Sequence, residues 1–273
     1  MSITVLNNVS SLIAENAVSN TQSSLQNTLT QLSTGLKINS GADDPAGLSI
    51  ADGLGANIAA LTQSGQNASN GTGLLQTADG ALSQVTTLLN QAVTIATEAA
   101  NGGLTTDQAT AANTEFQSIL SEISQIGSTT NFNGTAVFSA TAQTVFTSDG
   151  TSSGATTTST TVGTLSASSL GLSSDVLTST TAAATALTDI TAAIATVAAT
   201  RGTVGASINQ LTADTSVENT EVQNLTSAQN NVQNADIAKV TSNLTQYNVL
   251  EQTGFAALQQ SQSAEQNVLK LLQ

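Results

Sequence analysis

Apolar residues recur along most of this chain at alternating steps of three and four, a spacing that commits it to long helices wrapped around one another. Leu75, Ala78, Leu82, Val85, Leu89, Ala92, Ala96 and Ala99 keep the step without a break. Such a row stays on one face of a helix wound at about 3.5 residues per turn, so only a matching row on another helix can bury it. Phe116, Ile119, Ile123 and Ile126 line a second seam, closed at Gly127. Leu187, Ile190, Ile194, Val197, Arg201, Val204, Ile208 and Leu211 line a third, which continues through Val222, Leu225 and Val232 as one helix. The punctuation agrees with the period. Asn101, Gly102 and Gly103 stop the first helix, and Thr105 with Gln108 forms a capping box for the next. Gly35 ends an earlier helix. Asp44 then reads as an N-cap and Pro45, the single proline, as the first helical residue, the Asp43-Asp44 pair serving as caps.

The middle differs in kind. Residues 130–179 are rich in Ser, Thr and Gly and carry few charges. Residues 144–147 (TVFT) before Asp149-Gly150, and residues 156–162, read as short strands around turns. A low-complexity linker is the competing reading of so weakly specifying a composition. The two ends mirror each other. Val5, Val9 and Leu12 with Leu25, Leu29, Leu32 and Leu36 form one apolar stripe. Ile237, Val240, Leu244, Tyr247 and Leu250, then Leu258, Val268, Leu269, Leu271 and Leu272, form the other. A helix pair with so thin a seam is marginal in water, so these ends want further partners, which other copies of the chain can supply. The fold class is mainly α, with long coiled-coil helices forming a terminal helix pair plus a helical bundle. Residues 1–42 with 234–273 make the terminal coiled-coil domain. Residues 43–233 make the bundle, with a β-hairpin region at 130–179.

What the chain lacks limits its chemistry. Without histidine or cysteine it has no imidazole base, thiol nucleophile or soft metal ligand. The carboxylates are scattered, with neither a dyad nor a calcium loop in the spacing. Gly53-Leu-Gly55 and Gly71-Thr-Gly73 lack the third glycine and the strand–turn–helix context of a phosphate cradle, and read as helix-end packing. No enzyme, cofactor or metal is expected. Four basic residues (Lys37, Arg201, Lys239, Lys270) stand against 18 acidic ones. The net charge of −14 argues against nucleic acid or an anionic membrane as partner. No run approaches the ~18–20 apolar residues of a bilayer span. The first ten residues lack the basic and apolar regions of a Sec-type signal peptide. By composition alone this would suggest the cytoplasm.

Residues 32–51 (LSTGLKINSGADDPAGLSIA) closely resemble the signature of bacterial flagellins. The likeness continues through 67–71 (NASNG), 74–82 (LLQTADGAL), 98–102 (EAANG) and 130–134 (TNFNG). Toward the other end it resumes at 169–172 (SLGL), 228–238 (AQNNVQNADIA), 249–254 (VLEQTG) and 266–272 (QNVLKLL). The resemblance implies a short flagellin lacking the outer variable domains, which would stack into the extracellular flagellar filament for motility. Its partners would be copies of itself, the export apparatus with an export chaperone, and the filament cap and junction proteins, with export needing no cleaved signal. A hook–filament junction protein has similar ends, and a secreted coiled-coil binding or adhesion module is a further alternative. Flagellins carry an arginine where Arg201 stands in RGTVGA. In the third seam it reads either as a register residue or as a stem with a solvated head. Many flagellins meet the Toll-like flagellin receptor through a segment Leu-Gln-Arg-x-Arg-Glu-Leu. Here that place reads LNQAVTI, with Gln91 and Val93 for the arginines and Thr94 for the glutamate. Ile95 and Glu115 match the remaining contacts, which implies a weak or silent receptor ligand.

Overall fold

The computed structural model describes residues 9–151 and 155–271. Val5 and Leu272 of the terminal stripes lie outside the described residues, as do the side chains of Val268, Leu269 and Leu271. Helix α1 is Val9–Thr34, α2 Pro45–Ala100 and α3 Thr106–Thr129. Strands β1 (Asn131–Phe132), β2 (Thr135–Ala136), β3 (Gln143–Ser148) and β4 (Ala155–Thr160) follow. Helices α4 (Thr180–Gln233) and α5 (Ile237–Leu271) complete the chain. The chain divides into two compact units. One holds the residues up to Gly55 together with those from Leu225 on, and the other holds Ala56–Asn224.

The larger unit is the bundle that the heptads require. All eight residues of the α2 row are buried, none more than 5 % exposed. Phe116, Ile119 and Ile123 of α3 are buried with them, and Ile126 is half-buried. The seam of α4 keeps Ile190, Val197, Val204 and Leu211 of the expected row and differs at the other places. Its buried line is Ala183, Ala186, Ile190, Ala193, Val197, Val204 and Leu211, while Leu187, Ile194 and Ile208 lie half-buried on the flank. Alanines hold the centre because long helices approach closely where side chains are small, and larger residues close the sides. The same alanines make α4 long and apolar enough, by composition alone, to cross a bilayer, which the sequence reading did not anticipate. Its apolar row is spent on the core cluster instead.

Gly127 does not close α3, which runs on to Thr129. A Cβ there would stand 1.8 Å from the carbonyl oxygen of Leu165, so the glycine makes room for the chain that crosses it. That crossing segment is no linker. It buries Val162, Leu165, Leu172 and Leu177 in the core. Polar side chains of α3 take up its backbone groups: Leu177 N–H donates to Asn113 Oδ1 at 2.8 Å. Gln117 Nε2 donates to the Asp175 carbonyl at 2.8 Å, and Ala167 N–H to Ser124 Oγ at 3.1 Å. Strands β1 and β2 join through Asn133 (φ 49°) and Gly134 (φ 79°), the doubly left-handed turn that two-residue hairpins favour. Strands β3 and β4 pair antiparallel with Val145 opposite Thr158. Gly71 and Gly73 sit inside α2 rather than at a helix end. A Cβ on Gly71 would meet Val145 Cγ2 at 2.5 Å, so the glycine seats the β3–β4 hairpin on the helix.

In the smaller unit α1 packs on α5. The covered row of α1 is Ser11, Ala14, Val18, Thr21, Leu25, Thr28 and Leu32, and that of α5 is Val240, Leu244, Tyr247, Glu251, Gly254, Leu258 and Ser261. Both step by three and four. Gly254 lets the helices close, since a Cβ there would meet Val18 Cγ2 at 2.6 Å. The chain just after α1 also pairs with the last residue of α4 and the link to α5. Lys37 N–H donates to the Gln233 carbonyl at 2.7 Å and Ala235 N–H to the Gly35 carbonyl at 2.9 Å. Asp44 caps α2, its Oδ1 accepting from Gly47 N–H at 2.9 Å, but Asp43 does not share that task. Its Oδ2 accepts from the N–H groups of Asn39 (2.9 Å) and Ser40 (2.8 Å), which hold the loop and lower its pKa.

Candidate functional site

Unit by unit, apolar surface is distributed very unequally. Among the described residues, the smaller unit has only Val18, Ile38, Ala51 and Val240 as buried hydrophobics. It leaves Val9, Leu12, Ile13, Leu29, Ile50, Ile237, Val249, Leu250 and Phe255 exposed by 44 to 64 % each. Among its described large apolar residues the larger unit exposes only Phe146, Val176 and Val217. The cause lies in the covered rows themselves. Ser11, Thr21, Thr28, Glu251 and Ser261 occupy places that leucines would fill in a self-sufficient coiled coil. Leu25, Leu32, Leu36, Val240, Leu244, Tyr247 and Leu258 of the expected stripes are buried or half-buried. Val9, Leu12, Leu29, Ile237 and Leu250 lie outside the seam. Ile13, Val249 and Phe255 join this exposed set and are absent from the expected stripes; Ile13 and Val249 each stand one place from a counted residue, and Phe255 falls in the gap between Leu250 and Leu258.

The singled-out polar residue sits beside the α4 seam, between Val197 and Val204. Arg201 Nε donates to Asp79 Oδ1 of α2 at 2.8 Å and Nη2 to Oδ2 at 3.3 Å. This two-pronged contact holds the Asp79 carboxyl below its usual range and raises the arginine further. Both side chains are more than one-third exposed, so the pair contributes orientation more than stability. On α2, Gln91 is exposed and donates to Glu115 Oε1 of α3 at 3.3 Å. Val93 is half-buried and Ile95 is only 8 % exposed, packed into the core.

Two carboxylates that no spacing revealed are buried. Asp175 approaches Asp189 across fourteen residues of sequence; burial first, and then the Asp189 charge, raises its pKa. Glu218 of α4 is held by Ser64 of α2. Among the described residues no group of His, Cys, Asp or Glu is arranged to hold a metal ion.

Long helices, a small hairpin region and an apolar terminal pair that cannot bury itself define a helical structural subunit. The family model for the bacterial flagellin N-terminal helical region matches residues 5–143, and that for the C-terminal helical region matches residues 187–272. The chain is 33 % identical to a flagellin of Halalkalibacterium halodurans over 248 residues, 90 % of this chain and 91 % of that one. It is 41 % identical to a flagellin of Serratia marcescens over 129 residues, 47 % of this chain and 37 % of that one. A crystal structure of Bacillus cereus flagellin aligns with a TM-score of 0.49 and 26 % identity over 56 % of this chain and 88 % of that one. The chain belongs to the bacterial flagellin family, and it is a structural subunit of the extracellular flagellar filament.

Proposed function

We propose that the exposed apolar side chains of α1 and α5 are the surface through which subunits stack head to tail. The observation that carries this is the contrast between a large unit with a closed core and a terminal pair with many large apolar residues left in water. One patch docking on a different patch of the next copy generates an open helical filament when its rotation does not close into a ring. On this reading Val9, Leu12, Leu29, Ile237 and Leu250, with Val5, Val268, Leu269 and Leu272, serve assembly directly. Leu25, Leu32, Leu36, Val240, Leu244, Tyr247 and Leu258 hold the pair that presents them. The terminal domain of residues 1–42 and 234–273 is then the assembly device, and residues 43–233 are its helical spacer. The subunit catalyses nothing, leaves through the export apparatus with a chaperone and no cleaved signal, and meets cap and junction proteins at the filament ends. Electron microscopy of the purified chain after seeding tests this. Long filaments are expected; short caps or dispersed monomers would instead favour the junction or adhesion alternative.

Arg201 acts on this reading as a register residue, its fork on Asp79 fixing one sliding position of α4 on α2. Arg201→Lys keeps the charge but loses the fork. It should lower the melting temperature by no more than a few degrees and leave a filament of altered helical pitch. An unchanged pitch by diffraction would reduce the arginine to a solvated stem.

A weak innate-immune signal is expected from the same surface logic. Interface arginines are often hot spots, worth about 2 kcal/mol or more on truncation. Gln91 brings no charge and already donates to Glu115, and Ile95 is buried. Purified monomer should activate the Toll-like flagellin receptor in reporter cells far less than an arginine-bearing flagellin does, and Gln91→Arg should raise that activity. Full potency in the unaltered chain would show that these were the wrong positions to weigh.

A further inference from the structure

Glu218 is 7 % exposed, and its Oε2 has no hydrogen-bond partner. Its other oxygen, Oε1, accepts from the hydroxyl of Ser64 on α2. Ser64 Oγ in turn accepts the backbone N–H of Ser148 in β3 at 3.1 Å. One carboxyl thus sits at the junction of α4, α2 and the β3–β4 hairpin. It also forms part of the wall of a hollow of about 230 Å³ that contains Asp149, Asp214 and Glu221. Asp214 and Glu221 come from α4 itself, and Asp149 from the turn after β3. The α2 stretch 56–71 and strands β3 and β4 contain no ionisable residue. None of the four basic residues lines the hollow. A buried carboxylate among three others with no cation is an expensive arrangement, and a proton is the least demanding way to relieve it.

We propose that Glu218 is a proton-operated latch: while its carboxyl is protonated it holds the β3–β4 hairpin on α2 and α4 through Ser64, and losing the proton loosens the hairpin. The proton neutralises the buried group without altering what Oε1 accepts from Ser64. Deprotonation restores the full charge beside Asp214 and Glu221. Repulsion then pushes Glu218 away from its neighbours, and Ser64 loses the contact that orients its oxygen toward Ser148.

The direction of the pH effect follows from linkage. Burial first, and then the Asp214 and Glu221 charges, raise the Glu218 pKa above 4.5, against the lowering from Ser64. A raised carboxyl favours the folded arrangement while it keeps its proton. That advantage disappears as pH rises from the ordinary value through the raised one. Hairpin attachment is therefore firmest in acid and weakens toward neutrality, opposite to the effect of a salt-bridged carboxylate. The inference concerns the single subunit and does not rest on the filament reading.

The test is nuclear magnetic resonance on the full-length monomer between pH 4 and 8. The protection factor of the Ser148 amide, corrected for intrinsic exchange, should fall at least tenfold across that range while the Ile119 amide in α3 does not change. The carboxyl carbon of Glu218 should titrate above the ordinary glutamate range. Glu218→Gln, neutral at every pH, should keep Ser148 protected throughout, and an unchanged Ile119 amide shows that the variant is folded. Flat protection in the unaltered chain, the same fall in Glu218→Gln, or a Glu218 carboxyl titrating at or below 4.5 would each overturn the proposal. So would protection that appears only on adding calcium chloride, which would make the occupant a metal ion.

Discussion

Leu12→Asp should abolish filament growth while leaving the bundle folded. Leu12 is 59 % exposed on α1, outside the row that meets α5, so the substitution removes little from the isolated subunit. In a filament its burial would stabilise each contact by about 1–2 kcal/mol at roughly 25 cal/mol per Å². Aspartate forfeits that and adds the cost of desolvating a charge. Two kilocalories already raise a critical concentration roughly thirtyfold, and every subunit in the polymer carries the loss. Leu12→Ala should therefore raise the critical concentration at least tenfold, and Leu12→Asp should leave no filaments at any practical concentration. Gln26→Asp, an exposed position on the same helix, adds the same charge and serves as the control. Sedimentation and electron microscopy read the assembly, and circular dichroism confirms an unchanged melting temperature. If Leu12→Asp assembled like Gln26→Asp, the exposed face of α1 would not be an interface.

The parts of this fold legible in the sequence were those where large apolar side chains carry the seam. The row from Leu75 to Ala99 is buried residue for residue: Leu75, Leu82, Val85 and Leu89 mark the face, and Ala78, Ala92, Ala96 and Ala99 continue it in step. The α4 row was legible at Ile190, Val197, Val204 and Leu211, but the count missed Ala183, Ala186 and Ala193 and took in Leu187, Ile194 and Ile208 on the flank. The α1 row was hidden further, since Ser11, Thr21 and Thr28 cannot register as apolar at all. The segment after β4 was ambiguous because Val162, Leu165, Leu172 and Leu177 arrive singly among serines, and only tertiary contact shows them to be core. The exposed apolar face proposed for assembly was half legible. Its residues could be named, but an apolar residue in a seam and one beside it look alike until exposure separates them. Glu218 left no sequence trace, because its partner Ser64 lies 154 positions away.

Gly127→Ala should destabilise the bundle by about 3 kcal/mol or more, whereas Gly80→Ala should stabilise it by about 0.5–1 kcal/mol. Both are glycines inside helices, where alanine is the better helix former by about that smaller amount. What separates them is the space a methyl group would enter. At Gly80 nothing lies within 4 Å of the new Cβ, so only the backbone entropy changes. At Gly127 the Cβ would stand 1.8 Å from the Leu165 carbonyl oxygen and 2.7 Å from its carbon, both backbone atoms that no rotamer change can move aside. Either α3 shifts, or the crossing segment lifts and exposes Leu165, Leu172 and Leu177 together with the Ala167–Ser124 hydrogen bond. For a unit of this size each kilocalorie shifts the melting temperature by roughly 2–4 °C. Thermal unfolding of the monomer should therefore fall by about 6–12 °C for Gly127→Ala and rise by a few degrees for Gly80→Ala. Equal shifts in both variants would mean that the close crossing of α3 by residue 165 is not a fixed part of the fold.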